Sequence, residues 1–194
     1  MELQIVHLMN QFGRGELDWL TIFISQIPFL IVLWAVIAFL ALFLDRRGKW
    51  IFLAIVAALA LHFLISEGLL KHFLLNFFPL RARPWVAHPE LIQPLGQRFT
   101  DSFFPSSHMA STLGVLTVLV FYYRKIWLPA LIFVLLMAFA RLHNGMHYPS
   151  DVLAGAFLGL IYGFLAITLV RYLERAAAKN SSDQNKTLSR AIPL

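Results

Sequence analysis

The sequence predicts an all-α fold: a polytopic bundle of about five transmembrane helices, preceded by an N-terminal helix in the membrane interface. Two observations predict this class. Hydrophobic residues make up 59% of the 194 residues and charged residues only 13%, with a mean hydropathy of +0.72, whereas a soluble domain needs a polar surface. The apolar residues also fall into runs close to the ~20 residues that cross a bilayer as a helix.

The first 18 residues mix apolar and polar side chains and lack both a basic start and a small-residue cleavage site. They predict a retained interfacial helix rather than a signal peptide. Later apolar runs predict spans over residues 20–44, 50–70, 109–123, 126–142 and 152–171, with Pro28 inside the first span. Residues 1–174 are expected to form a single membrane-embedded domain. Residues 175–194 are too polar to pack and predict a disordered cytoplasmic tail.

Basic residues are distributed unequally between the two ends of this bundle. The formal charge of +6 in a membrane protein reflects cytoplasmic loops and anionic head groups rather than nucleic acid. The richer end carries Arg46, Arg47, Lys49, Arg124, Lys125, Arg171, Arg175, Lys179, Lys186 and Arg190, and the other end carries Arg14, Lys71, Arg81, Arg83, Arg98 and Arg141. Because positive loops stay inside, the N-terminus is expected outside and the C-terminus inside.

Three polar strings stand at the ends of apolar runs, and all three fall on the predicted external face. They are Arg83-Pro84, the string Pro105-Ser106-Ser107-His108, and the set Arg141, His147 and Asp151. The chain has no cysteine, so thiolate chemistry and disulfides are excluded and a catalyst must use histidine, serine or carboxylates. The shared face predicts a single site.

The last string, after the fourth span, allows three interpretations. Asp151 near the start of a helix could accept a hydrogen bond from His147, which leaves the other ring nitrogen as a base or nucleophile. Asp151 could instead be only a helix cap. A metal site formed by His143, His147 and Asp151 is a third interpretation, since these residues are spaced four apart. Pro149 and the cationic Arg141 disfavour a metal.

The other two strings are compatible with anion binding. Pro105, Ser106 and Ser107 have the composition of a helix start, and the free N–H groups of a helix N-terminus bind anions. An Arg next to a Pro is common at a membrane surface and indicates little alone. Lys71 and Glu67, one helical turn apart, could form a stabilising pair or could hold Lys71 against a phosphate.

Together the strings resemble the type 2 phosphatidic acid phosphatase superfamily, whose pattern is K-x6-R-P, then P-S-G-H, then S-R-x5-H-x3-D. The short five-span layout is most similar to the bacterial undecaprenyl-diphosphate phosphatase branch. The resemblance implies that His147 is the nucleophile, Asp151 its partner and His108 the general acid.

The same resemblance implies that phosphate is bound by Arg83, Arg141, Ser106, Ser107 and Lys71. This chain departs from the pattern at three positions. Ala140 replaces a serine, Ser107 replaces a glycine, and Asn76 stands where the pattern has a lysine, with Lys71 five residues further from Arg83.

The function implied is metal-independent and cofactor-free hydrolysis of a membrane lipid phosphate or diphosphate through a phosphohistidine. Undecaprenyl diphosphate is the first choice of substrate. Phosphatidylglycerophosphate, phosphatidic acid, lipid A phosphate or transfer to another lipid are alternatives within the family, and a small transporter is the non-enzyme alternative. The resemblance also implies a bacterial inner membrane protein with an external active site. The sequence does not indicate the oligomeric state.

Overall fold

The computed structural model describes residues 1–73, 81–98 and 104–191, apart from the side chains of residues 71–73, 182, 183 and 185–191. These residues form helices, turns and irregular segments, without a strand in the described ranges. The helices are α1 Glu2–Gln11, α2 Asp18–Ile24, α3 Ile27–Leu44, α4 Gly48–Leu61, α5 Pro84–Ala87, α6 Ser107–Tyr122, α7 Trp127–His143 and α8 Pro149–Ala191. A π-helical segment, His62–Phe73, continues α4, and a 3-10 turn, Arg124–Ile126, precedes α7.

The predicted helical membrane bundle is confirmed. Within the described ranges, four stretches are long and apolar enough to span a bilayer, namely Ile27–Leu44, Gly48–Leu70, Arg124–His143 and Pro149–Ser181. The shorter apolar helix α6 is the fifth member of the bundle. The buried core joins α3, α4, α6 and α8 through apolar side chains such as Trp34, Ile55, Val115 and Ile167.

The first predicted span, residues 20–44, is wrong in one respect. The chain leaves the helix at Ser25 and Gln26, so that α2 and α3 are separate helices. Pro28 is therefore not inside a span but in the first turn of α3. A missing N–H is tolerated there, because the first helical N–H groups have no partner within the helix.

The N-terminal helix α1 has one face against the bundle and one face outward. Val6 and Asn10 are fully buried. The Asn10 side chain donates to the carbonyl of His143 at the end of α7, at 2.6 Å, and to that of Gln93 at 2.9 Å. The outward face presents the exposed apolar residues Ile5, Leu8 and Phe12. This arrangement is the one expected of an interfacial helix.

Close contact between α6 and α8 sets the position of the two helix starts. Gly155, Gly159 and Gly163 are spaced four apart along α8, and a Cβ at any of them would overlap atoms of α6 or of Ser106, the residue before it. At Gly159 it would lie 2.6 Å from the carbonyl oxygen of Ala110. Small residues at such crossings let two backbones approach. The backbone N–H of Ser106 consequently reaches the carbonyl of Asp151, at 3.1 Å.

The opposite end of the bundle carries the basic loops. The Tyr123 hydroxyl donates to Asp45 at 2.9 Å and links the α3–α4 loop to the end of α6. The helix α8 continues past residue 174 to Ala191, through the tail for which the sequence predicts disorder. The division of the chain at residue 174 stays a prediction.

Replacement of Gly159 by alanine is expected to destabilise the bundle by about 1–3 kcal/mol, because the new methyl group overpacks a close helix contact. Thermal unfolding of the detergent-purified protein measures this. Gly68→Ala is the matched control, since among the described residues a Cβ there meets only the Phe63 carbonyl oxygen, at 3.5 Å. An equal loss in both variants would contradict the assignment.

Candidate active site

A cavity of about 630 Å³ opens between α3 and α4 at the end of the bundle opposite the basic loops. Most of its wall is apolar and comes from those two helices, from Ile27 to Phe39 on α3 and from Phe52 to Leu59 on α4. Its polar lining consists of His62, Glu67, Arg83, Ser107, His108, Ser111, Arg141 and His147. One long apolar compartment thus ends in a cluster of ionisable groups.

Two arginines from different strings line this polar end. Arg83 precedes α5 and donates from Nη1 to the carbonyl of Met146, at 3.2 Å. Arg141, in the last turn of α7, is only 3% exposed. Within the described part of the chain, its Nε has no acceptor and its guanidinium makes no ion pair. A buried cation without a counter-charge is unfavourable, so this position is suited to an anion.

His147 and Asp151 face each other across the start of α8. Nδ1 of His147 lies 3.8 Å from Oδ2 of Asp151, and both side chains are buried. This distance is longer than a hydrogen bond. The same Oδ2 accepts the backbone N–H of Tyr148 at 2.6 Å, which is the reach-back contact of a helix cap. Asp151 therefore has the capping contact that the second interpretation predicts. Because Asp151 faces Nδ1, the other ring nitrogen of His147, Nε2, lies on the opposite edge of the ring.

The second string begins α6, but its residues differ in orientation. His108 lines the cavity, and its Nε2 lies 2.8 Å from the carbonyl of Ser25, so that nitrogen carries a hydrogen. Ser107 also lines the cavity and donates its hydroxyl to Glu67. Ser106 is buried and is not among the lining residues. Its part in phosphate binding stays a prediction.

His143 is turned away from the site. Nδ1 lies 2.8 Å from the carbonyl of Met9, and Nε2 lies 2.9 Å from Oδ1 of Asp18. Both ring nitrogens are engaged by the N-terminal segment. This arrangement does not favour the third interpretation of the string, a metal site formed by His143, His147 and Asp151. The remaining predicted phosphate ligand, Lys71, has its side chain outside the described residues.

An acidic residue at the start of the chain supports the third string, and its role was not predicted from the sequence. Glu2 accepts the backbone N–H of Ser150 at 3.0 Å and pairs with Nη1 of Arg81 at 2.6 Å. The Arg81 guanidinium lies 3.3 Å from the ring centre of Tyr148. Arg81 is thus bound to Glu2 and Tyr148 and does not line the cavity, whereas Arg83, only two residues later, does. Contacts between residues 148 positions apart have no local sequence signal.

The model of the PAP2 superfamily matches residues 50–175, a stretch that includes all three strings. The chain belongs to the PAP2 superfamily. This family assignment agrees with the helical membrane bundle and with the predicted resemblance.

Curated phosphatases of two kinds are similar to the chain. It is 38% identical over 98 residues to the undecaprenyl-diphosphatase BcrC of Bacillus subtilis and 36% identical over 123 residues to a lipid A 4'-phosphatase of Bacteroides thetaiotaomicron. These matches cover 50% and 58% of the chain and 50% and 52% of those proteins, so the chain spans about half their length. An undecaprenyl-diphosphatase of Sulfolobus acidocaldarius is 26% identical over 86% of the chain and 77% of that protein.

Two solved structures share the fold. A PAP2-type phosphatidylglycerolphosphate phosphatase from Bacillus subtilis aligns with a TM-score of 0.64 at 20% identity, over 88% of this chain and 85% of that one. LpxE from Aquifex aeolicus aligns with a TM-score of 0.59 at 24% identity, over 86% and 94%. At these identities the likeness concerns the arrangement of the helices.

The substitution Glu2→Gln is expected to reduce the acid sensitivity of the fold. The hydrogen bond from Ser150 lowers the pKa of Glu2 below its ordinary 4.5, and Arg81 acts in the same direction. The ionised carboxylate therefore stabilises the fold above pH 4.5, and this contribution is lost as the pH falls through the lowered value. Thermal unfolding in detergent, measured from about pH 6 to about pH 3, tests this.

In that measurement the variant should start less stable than the native protein, and the difference should shrink at low pH. Glu16→Gln removes an exposed carboxylate from the same region and is the control. A constant difference across the pH range would contradict the role of the Glu2 charge.

Proposed function

We propose that this PAP2 protein is a membrane lipid phosphatase whose site lies at the polar end of the cavity. The observation that carries the proposal is the buried Arg141, which lacks a described counter-charge and shares the cavity with Arg83 and His147. A phosphate group supplies the missing negative charge, and guanidinium groups match its oxygens in geometry. An imidazole backed by a carboxylate stands at the same end.

The proposed reaction has two steps. Nε2 of His147 attacks phosphorus while the bond to the lipid oxygen breaks and that oxygen takes a proton from His108. Water then attacks the phosphohistidine, the nitrogen–phosphorus bond breaks, and His108 accepts the water proton. Arg83 and Arg141 neutralise charge on the non-bridging oxygens, a contribution that dominates phosphoryl transfer. Asp151 orients His147 and stabilises its positive charge.

The apolar part of the cavity supports a lipid as the substrate. Its α3 wall runs from Ile27 to Phe39, which is about 18 Å at 1.5 Å per residue. Half of the hydrocarbon core of a bilayer is about 15 Å thick. The compartment therefore fits the first part of an acyl or isoprenyl chain from the leaflet on the site's side, with its head group at the arginines.

Undecaprenyl diphosphate is the first choice of substrate, because two of the similar curated proteins are undecaprenyl-diphosphatases. Lipid A phosphate, phosphatidylglycerophosphate and phosphatidic acid are alternatives for the same site, as is transfer of the phosphate to another lipid. A small transporter is less well supported. Its ionisable groups would be expected along a path through the span, whereas here the arginines and the two site histidines gather at one end of the cavity.

Purified protein is expected to release phosphate from at least one member of a panel of these four lipids. His147→Ala and His108→Ala should each lower the rate on the order of 10³-fold or more, because the nucleophile or its proton donor is lost. A colorimetric assay of released phosphate measures both the preferred lipid and the effect of the variants. Added acceptor lipid separates hydrolysis from transfer.

His88→Ala is the control, since His88 pairs with Glu90 outside the cavity. All variants should elute from size exclusion as the native protein does. Full activity of either site variant would refute the assignment. EDTA in the same assay tests the proposed independence of metal ions, and strong inhibition that added metal reverses would contradict it.

We also propose the orientation of the chain. Basic residues surround the end of the bundle away from the site, which favours that end as the cytoplasmic one. The active site would then face the exterior or periplasm of a bacterial inner membrane, with the N-terminus outside and the C-terminus inside.

Single cysteines test this orientation directly, because the native chain has none. Glu90→Cys at the site end should react with a membrane-impermeant maleimide in intact cells, whereas Lys125→Cys at the basic end should react only after lysis. Both side chains are exposed. The reverse pattern would invert the proposed topology.

A further inference from the structure

The polar end of the cavity contains a carboxylate that the proposed reaction does not use. Glu67, in the π-helical segment, lines the cavity together with Arg83, His108 and Arg141. Its side chain is 30% exposed, so it is accessible from the cavity. A negative charge here opposes the binding of a phosphate, which makes its presence in a phosphate site unexpected.

Glu67 is held by Ser107, one of the three positions at which the chain departs from its family's pattern. The Ser107 hydroxyl donates to Oε1 of Glu67. Glycine, the residue of the P-S-G-H pattern, has no side chain to make this contact. Ser107 is also the first residue of α6, next to His108. The hydroxyl that the pattern lacks is therefore the hydrogen-bond partner of this carboxylate.

The surroundings of Glu67 are mostly cationic or ionisable. On its own segment, Nε2 of His62 lies 4.0 Å from Oε1. From the other elements, Arg83, His108, Arg141 and His147 reach the same cavity. A phosphate that enters this end meets the same positive groups and the same Ser107 donor as Glu67 does. The carboxylate and the phosphate are competitors for one environment.

We propose that Glu67 is an internal competitor of phosphate, which accepts the hydrogen bond of Ser107 in the free protein and lowers the affinity for phosphate groups. This inference rests on the proposed function and concerns the affinity of the same site. A lowered affinity limits retention of the inorganic phosphate product. Glu67 is in this respect an affinity-determining residue that takes no part in bond making.

Direct binding of inorganic phosphate and of orthovanadate to the detergent-purified protein tests the inference without turnover. Isothermal titration calorimetry of Glu67→Gln, and of Glu67→Ala as a second variant, should show a Kd lower by about ten-fold or more, since a like charge a few ångströms away is removed. The KM for the lipid should fall as well, and kcat should not rise. Glu90→Gln, which removes an exposed carboxylate outside the cavity, should leave the Kd unchanged.

A double-variant cycle tests the part of Ser107. In a Ser107→Gly background, Glu67→Gln should change the phosphate Kd less than it does in the native background, because the carboxylate is no longer held there. Equal changes in both backgrounds would overturn the role of Ser107.

A phosphate Kd that is unchanged or weaker in both Glu67 variants would overturn the inference as a whole. A lower kcat with an unchanged Kd would do the same, and would indicate an acid–base role instead. Failure of the proposed function has a different signature, because the native protein would then release phosphate from none of the lipids.

Discussion

Positive charge held inside the end of an apolar bundle is the constraint on which the site depends. Arg141 is placed by the last turn of a membrane helix, where its side chain is buried and no carboxylate among the described residues pairs with it. The surrounding structure must keep this group in position and also leave room for an anion. The rigid contact of α6 with α8 and the cap of α8 by Asp151 and Glu2 meet these two requirements.

The short N-terminal segment makes several of the hydrogen bonds that hold the site in place. Glu2, Asn10 and Asp18 each bond a group from a different part of the third string or its neighbourhood: Ser150, the carbonyl of His143 and the ring of His143. Ser25, at the break before α3, adds a carbonyl for His108. Polar contacts from α1, α2 and the break that follows α2 thus support the residues of the site.

Much of this architecture could be predicted from the sequence. Runs of apolar residues identify the membrane helices because the length of a span is set by the bilayer. The three strings predict that Arg83, His108, Arg141 and His147 belong to one site, and all four side chains line one cavity. The break at Ser25 was not predicted, since Pro28 is compatible both with a kinked span and with a helix start.

The contacts of Glu2 with Ser150 and of Ser107 with Glu67 also could not be predicted from the sequence. They join residues 148 and 40 positions apart, and they depend on crossing angles and rotations of helices that the period of 3.6 residues does not determine.

The length of the apolar part of the cavity has a consequence for the movement of lipids between the two leaflets. The α3 wall of the cavity is about 18 Å long from Ile27 to Phe39, close to the ~15 Å of one leaflet's hydrocarbon, so under the proposed function it would admit a chain from one leaflet only. For the proposed lipid substrates, molecules whose head groups lie on the other surface must first be flipped by a separate protein. Under the proposed function the dephosphorylated lipid would likewise return to the leaflet from which it came, so that hydrolysis and translocation would be separate events.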